Sequence, residues 1–96
     1  MNLRYTSKAK NDLEQAFEWY QKQSAGLGYE FIDCVEKTVL NIIQSPKLYA
    51  ICYLKYRRAV IMRFPFSVFY TTEQTEIIVH AIFDSRQNPE KRPRKY

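Results

Sequence analysis

Tyr56-Arg57-Arg58-Ala59-Val60-Ile61-Met62-Arg63-Phe64-Pro65-Phe66-Ser67-Val68-Phe69-Tyr70 is the stretch whose reading decides the fold. It reads as two strands meeting at Phe64-Pro65-Phe66. Apolar and β-branched residues fill both arms, and a proline is not tolerated inside a central ladder. Arginines stand at both ends of the first arm and nowhere in the second. A sheet with cations at its margin presents a positive edge over an apolar body. That edge is either a solvated rim that keeps the sheet soluble or a surface for an anionic partner.

Downstream, a turn near Thr72-Glu73-Gln74-Thr75 leads into Glu76-Ile77-Ile78-Val79-His80-Ala81-Ile82-Phe83. Ile77, Val79, Ala81 and Phe83 alternate with Ile78, His80 and Ile82, so both faces are mostly apolar. This is the pattern of a strand covered on two sides. Upstream, Lys47 to Tyr56 is a tyrosine-rich connection with no period that assigns it to helix or strand.

Before that connection the spacing is helical. Ser7 suits an N-cap, and Ala9, Leu13, Ala16, Phe17 and Tyr20 form one apolar stripe of a helix over about Ser7 to Gln23. Glu18 and Lys22 form a favourably oriented i,i+4 pair. Ser24-Ala25-Gly26-Leu27-Gly28 holds the chain's two glycines and marks a turn. A second stripe, Phe31, Val35, Val39, Ile42 and Ile43, ends at Ser45-Pro46, because the residue before proline avoids the α region. Two amphipathic helices joined by a short turn make an antiparallel hairpin. Leu13, Phe17, Val35 and Val39 are the expected core. Leu3-Arg4-Tyr5-Thr6 reads as a short first strand. The fold class is therefore α+β: a short N-terminal strand, then a helical hairpin packed on a mainly antiparallel sheet, in the order β-α-α-β-β-β. The hairpin covers one face of that sheet. The other needs the tail, a loop or a second chain.

With 96 residues, 46% of them hydrophobic and 16% aromatic, the chain reads as a single domain over 1–96 with its own core. No apolar run approaches the ~20 residues of a membrane span, and the N-terminus lacks a secretory core, so the protein is read as cytoplasmic. Cys34 and Cys52 lack Cys-x-x-Cys spacing, and with His80 as the single histidine they suggest no metal site. Buried or half-buried free thiols are expected. No cofactor-binding loop is visible. The net charge of +5 is concentrated late in the chain: residues 57–96 hold 8 Lys/Arg against 4 Asp/Glu, and 87–96 forms a basic C-terminal tail. Such a balance points to an acidic protein or nucleic acid as partner.

For chemistry, His80 lies mid-strand and reads as a packed side chain. Asp84, Ser85 and Arg86 leave the end of the long strand, and with Arg58 and Arg63 they suggest an anion site. Cleaving RNA needs an acid, a base and cations for the phosphorane charge. The cations are present, but Asp84 is the sole acid–base candidate at that margin.

The series Tyr56-Arg57-Arg58, Arg63-Phe64-Pro65-Phe66, Phe69-Tyr70, Ala81-Ile82-Phe83 and Arg86-x-x-Pro89, after a strand and a helical hairpin, resembles the RelE/ParE toxins of type II toxin–antitoxin modules, and the ParE branch most closely. The resemblance implies a plasmid-stabilisation toxin that inhibits growth by binding DNA gyrase. The alternative is a ribosome-dependent mRNA endonuclease of the RelE type. A non-toxic adaptor with a basic tail is the third reading. It further implies a cognate antitoxin, an amphipathic helix followed by an extended acidic segment set against Arg57, Arg58 or Arg63. Arg58, Arg63 and Arg86 are the expected target-binding residues. Relatives often carry a histidine after the last strand where this chain has Asp84. That departure points to a different target or an attenuated toxin.

Overall fold

Thr6, one residue before the expected cap, starts the first helix: its Oγ1 accepts the Ala9 amide at 3.1 Å and donates to the His80 carbonyl at 3.2 Å. One hydroxyl thus caps the helix and ties it to the sheet, which Ser7 could not do from inside the helix. The computed structural model describes residues 2–86, so the basic tail read over 87–96 lies outside the described residues. In chain order the elements are β1 (Asn2–Tyr5), α1 (Ser7–Gln23), α2 (Leu27–Gln44), β2 (Ile51–Tyr53), β3 (Tyr56–Val60), β4 (Phe66–Glu73) and β5 (Glu76–Asp84). The connection left unassigned from sequence therefore contains the short strand β2. The sheet order is β1-β5-β4-β3-β2, with β1 parallel to β5 and every other pair antiparallel.

The hairpin turns at Gly26, whose φ of 90° lies where side chains are strained. Gly28 lets the helices close: a Cβ there would stand 2.7 Å from the Phe17 carbonyl oxygen. The α2 stripe of Phe31, Val35, Val39 and Ile42 is buried as expected. On α1, Ala9, Ala16 and Tyr20 face the sheet, while Leu13 and Phe17 are only half-buried. Small residues bring α1 close to β5, which rotates the larger side chains toward the seam with α2. There Phe17 meets Tyr29 edge-on at 5.0 Å. The ion pair of α1 is Lys8–Asp12 at 2.8 Å, and the expected Glu18–Lys22 pair is not among those formed.

Under the hairpin, Tyr20, Phe31, Phe64 and Phe66 form an aromatic cluster with centroids 4.9 to 6.0 Å apart. Pro65 sits between β3 and β4, where Phe66 N–H reaches the Phe64 carbonyl at 2.8 Å and Ile61 N–H reaches the Phe66 carbonyl at 2.9 Å. Arg63 takes a φ of 73° in that turn.

The simple alternation expected along β5 breaks at His80. Phe69 pairs with Ala81 but Tyr70 pairs with Val79, so His80 is one residue too many. A bulge of this kind reverses the face on which later side chains emerge. Ile77, Val79 and Ile82 join the core under the helices, while Ala81 and Phe83 join Phe69 in a second cluster on the opposite face.

Candidate functional site

Four arginines stand at or near the β3 margin and the end of β5, and each has its own setting. Arg57 points into the helix layer, where its Nη1 donates to the Lys47 and Tyr49 carbonyls at 3.2 and 2.7 Å. It braces the loop before β2. Arg58 is on the opposite face, as the strand period requires. Its Nε donates to Ser67 Oγ at 3.0 Å, and among the described residues no carboxylate pairs with it.

Arg63 donates to Glu30 at 2.7 Å and lies 5.6 Å from the Phe64 ring centre. Arg86 grips both oxygens of Asp84, at 3.1 and 3.0 Å, while its own amide donates to Asp84 Oδ1 at 2.9 Å. Glu30 of α2 thus supplies Arg63 with an internal salt bridge. Glu76 is taken by Arg4 at 3.3 Å. The three expected target-binding arginines are thus on different layers and do not form one phosphate cradle.

Asp84 is half-buried beside a cleft of about 560 Å³ lined by Lys8, Asp12, Gln15, Trp19, Asp84 and Arg86. Burial acts to raise its pKa, but the side-chain and backbone hydrogen bonds from Arg86 outweigh it and hold the carboxyl below its ordinary value. An ionised carboxylate locked in a fork to arginine is a poor general acid at neutral pH. Tyr20 is near enough to feel both groups: burial raises its pKa, with opposing effects from Arg86 and Asp84.

Asp12 is the residue that sequence reasoning missed. Its Oδ2 accepts from Lys8 and also from the Ile82 amide at 3.1 Å, taking up the edge of β5 beyond the end of β1. Nothing in the sequence marks it, because its backbone partner is 70 positions away.

His80 is packed, as read from sequence. Its Nε2 is 2.8 Å from Thr71 Oγ1 and its ring meets Tyr56 edge-on at 5.0 Å. Burial lowers its pKa, Glu73 opposing and Lys55 and Arg4 assisting. Both cysteines are free; Cys34 is buried as expected, but Cys52 is exposed because it belongs to the edge strand β2. Among the described residues no group of three His, Cys, Asp or Glu side chains could hold a metal ion, and no helix is long and apolar enough to cross a membrane.

Residues 3–89, which contain the hairpin, strands β2 to β5, all of β1 but Asn2, and the four arginines, match the family model described as ParE toxin of the type II toxin–antitoxin system, parDE. The chain belongs to the ParE toxin family. Its fold is that of ParE structures. It superposes on a chain of the chromosomal ParDE toxin–antitoxin system from P. aeruginosa with a TM-score of 0.78 and 22% identity, covering 88% of this chain and 95% of that one. A YoeB/ParE toxin from Agrobacterium tumefaciens aligns with a TM-score of 0.60 and 16% identity, covering 88% and 98%. No curated protein sequence matches the chain. Membership of a ParE family implies a cognate antitoxin as partner.

Proposed function

We propose that this ParE-family chain arrests growth by binding an essential target, DNA gyrase, and not by turning over a substrate. In this reading it acts in the cytoplasm as the toxin of a plasmid-stabilisation module and is silenced by its antitoxin. The observation that carries the reading is the state of Asp84. The acid–base candidate at the margin is ionised and forked to Arg86, whereas Arg58 has donors to spare. Arg58 is therefore assigned the leading contact to the target. A guanidinium makes forked contacts to carboxylate or phosphate that a lysine cannot copy. Arg63 joins it when the target displaces Glu30, since both members of that pair are exposed and such pairs hold weakly. Arg86 keeps Asp84 through Nε and Nη2 and contributes its remaining Nη1.

The rival reading, mRNA cleavage on the ribosome, has the cleft of Asp84, Arg86 and Lys8 in its favour. Induced expression in a bacterial host separates them. DNA damage with stalled topoisomerase complexes is expected; codon-positioned mRNA cuts would replace the proposal with the endonuclease reading. Unaffected growth would leave the non-toxic adaptor.

A further inference from the structure

Every arginine among the described residues is held by an acceptor, and the acceptors differ in charge. Arg4, Arg63 and Arg86 are held by the carboxylates of Glu76, Glu30 and Asp84. Arg57 gives its Nη1 to two backbone carbonyls in the helix layer. Arg58 alone is held by a neutral side chain, Ser67, whose Oγ accepts its Nε–H at 3.0 Å. A carboxylate orients a guanidinium and cancels its charge. A hydroxyl orients it and leaves the charge whole.

Packing does not ask for a hydroxyl at Ser67. The residue has no exposure, and it stands in β4 among Phe66, Val68, Phe69 and Tyr70, all buried. On its face of the sheet Phe69, Ala81 and Phe83 form the apolar cluster, and Phe83 is its direct partner in the ladder. An alanine would sit there with no polar atom to satisfy, whereas a buried hydroxyl without a partner costs stability. Arg58 reaches Ser67 on the diagonal: Arg58 pairs with Phe69, and Ser67 lies two positions away along β4. Diagonal neighbours are roughly 7–8 Å apart, so only a long side chain laid along the sheet makes such a contact. The hydrogen bond therefore draws the Arg58 side chain over the sheet and stops it sweeping through solvent.

We propose that Ser67 is a positioning residue for the target contact. By holding Nε it fixes the Arg58 guanidinium, so that Nη1 and Nη2 meet the target as a preset pair of donors with the charge uncancelled. The inference rests on the reading of Arg58 as the leading contact, but the hold of Ser67 on Arg58 is tested apart from that reading. An arginine left loose must be ordered at the moment of binding, and for one side chain with many rotamers this costs about tenfold in affinity.

Ser67→Ala in the full-length chain is the test. In proton–nitrogen spectra the Arg58 Nε–H resonance, identified by its loss in Arg58→Lys, is expected to exchange slowly with water in the wild type and quickly in Ser67→Ala. At equal levels of folded protein, Ser67→Ala should need about tenfold more protein for the same growth arrest on induction. Ser67→Thr keeps the hydroxyl and should restore the wild-type dose. Arg58→Lys has no Nε–H to hold, so adding Ser67→Ala to it should change nothing further, whereas a purely structural role acts equally in both backgrounds. If the added methyl of Ser67→Thr prevents folding, the comparison of the two backgrounds carries the test. Fast exchange of the wild-type Arg58 Nε–H, an unchanged dose for Ser67→Ala, or the same loss in both backgrounds would each overturn the proposal. A wild-type chain that leaves growth unaffected refutes the toxin reading, and the exchange rates then decide by themselves whether Ser67 holds Arg58.

Discussion

Arg58 and Ser67 meet on the face of the sheet opposite the helices, one side chain exposed and the other fully buried. Arg58→Ala should therefore have a modest structural effect, about 1 kcal/mol for the hydrogen bond lost at the Ser67 hydroxyl. Its functional effect should be much larger. At equal levels of folded protein, the variant is expected to be non-toxic on induction, and Arg58→Lys to recover only part of the toxicity because it restores the charge without the fork. A folded Arg58→Ala as toxic as the wild type would remove Arg58 from the target contact. His80 yields a second expectation, on stability. Burial depresses its pKa in the folded chain below 6.5, so the unfolded chain takes up the proton first as pH falls. The stabilisation from neutral His80 is complete above about pH 6.5 and is lost as pH drops through the folded value. The urea midpoint of the wild type should fall between pH 7.5 and 5.5, and that of His80→Gln should fall less. Equal slopes would show that another group titrates.

At the scale of elements, the hairpin depends on a close approach and on one buried stripe. Gly28→Ala would drive a Cβ against the Phe17 backbone and should cost about 1–3 kcal/mol, as overpacking does. Ile42→Ala, at a site with no exposure, should cost about 2–5 kcal/mol, while Lys10→Ala on the exposed face should stay within about 0.5 kcal/mol. Chemical denaturation midpoints check all three, and an unmoved midpoint for Ile42→Ala would contradict the packing. These elements were legible because a 3.6-residue stripe over some 17 positions is a long, redundant signal. β2 was not, since three residues cannot display a period. The His80 bulge was not either: Ile77 to Phe83 is apolar on both sides, so no polar position betrays the extra residue, and Ala81, Phe83 and Ile82 each emerge on the face opposite to the expected one. Arginine positions could be read from the sequence, but their partners could not. Glu30 is 33 positions from Arg63, and only the folded hairpin brings them together.

At the scale of the molecule, two helices on one face of a five-stranded sheet leave a margin of cations and apolar side chains on the far side of β3. The acid–base candidate Asp84, at the end of β5, is engaged through both oxygens by Arg86. This arrangement suits binding better than turnover, in line with the proposal that the chain poisons gyrase by occupying it. The most direct measurement adds the purified chain to purified DNA gyrase and relaxed plasmid. The account predicts that supercoiling stops and that linear DNA accumulates in covalent gyrase complexes, with Arg58→Ala inactive in the same assay. Normal supercoiling by gyrase saturated with the wild-type chain would contradict it, most decisively if the same preparation cuts mRNA on ribosomes.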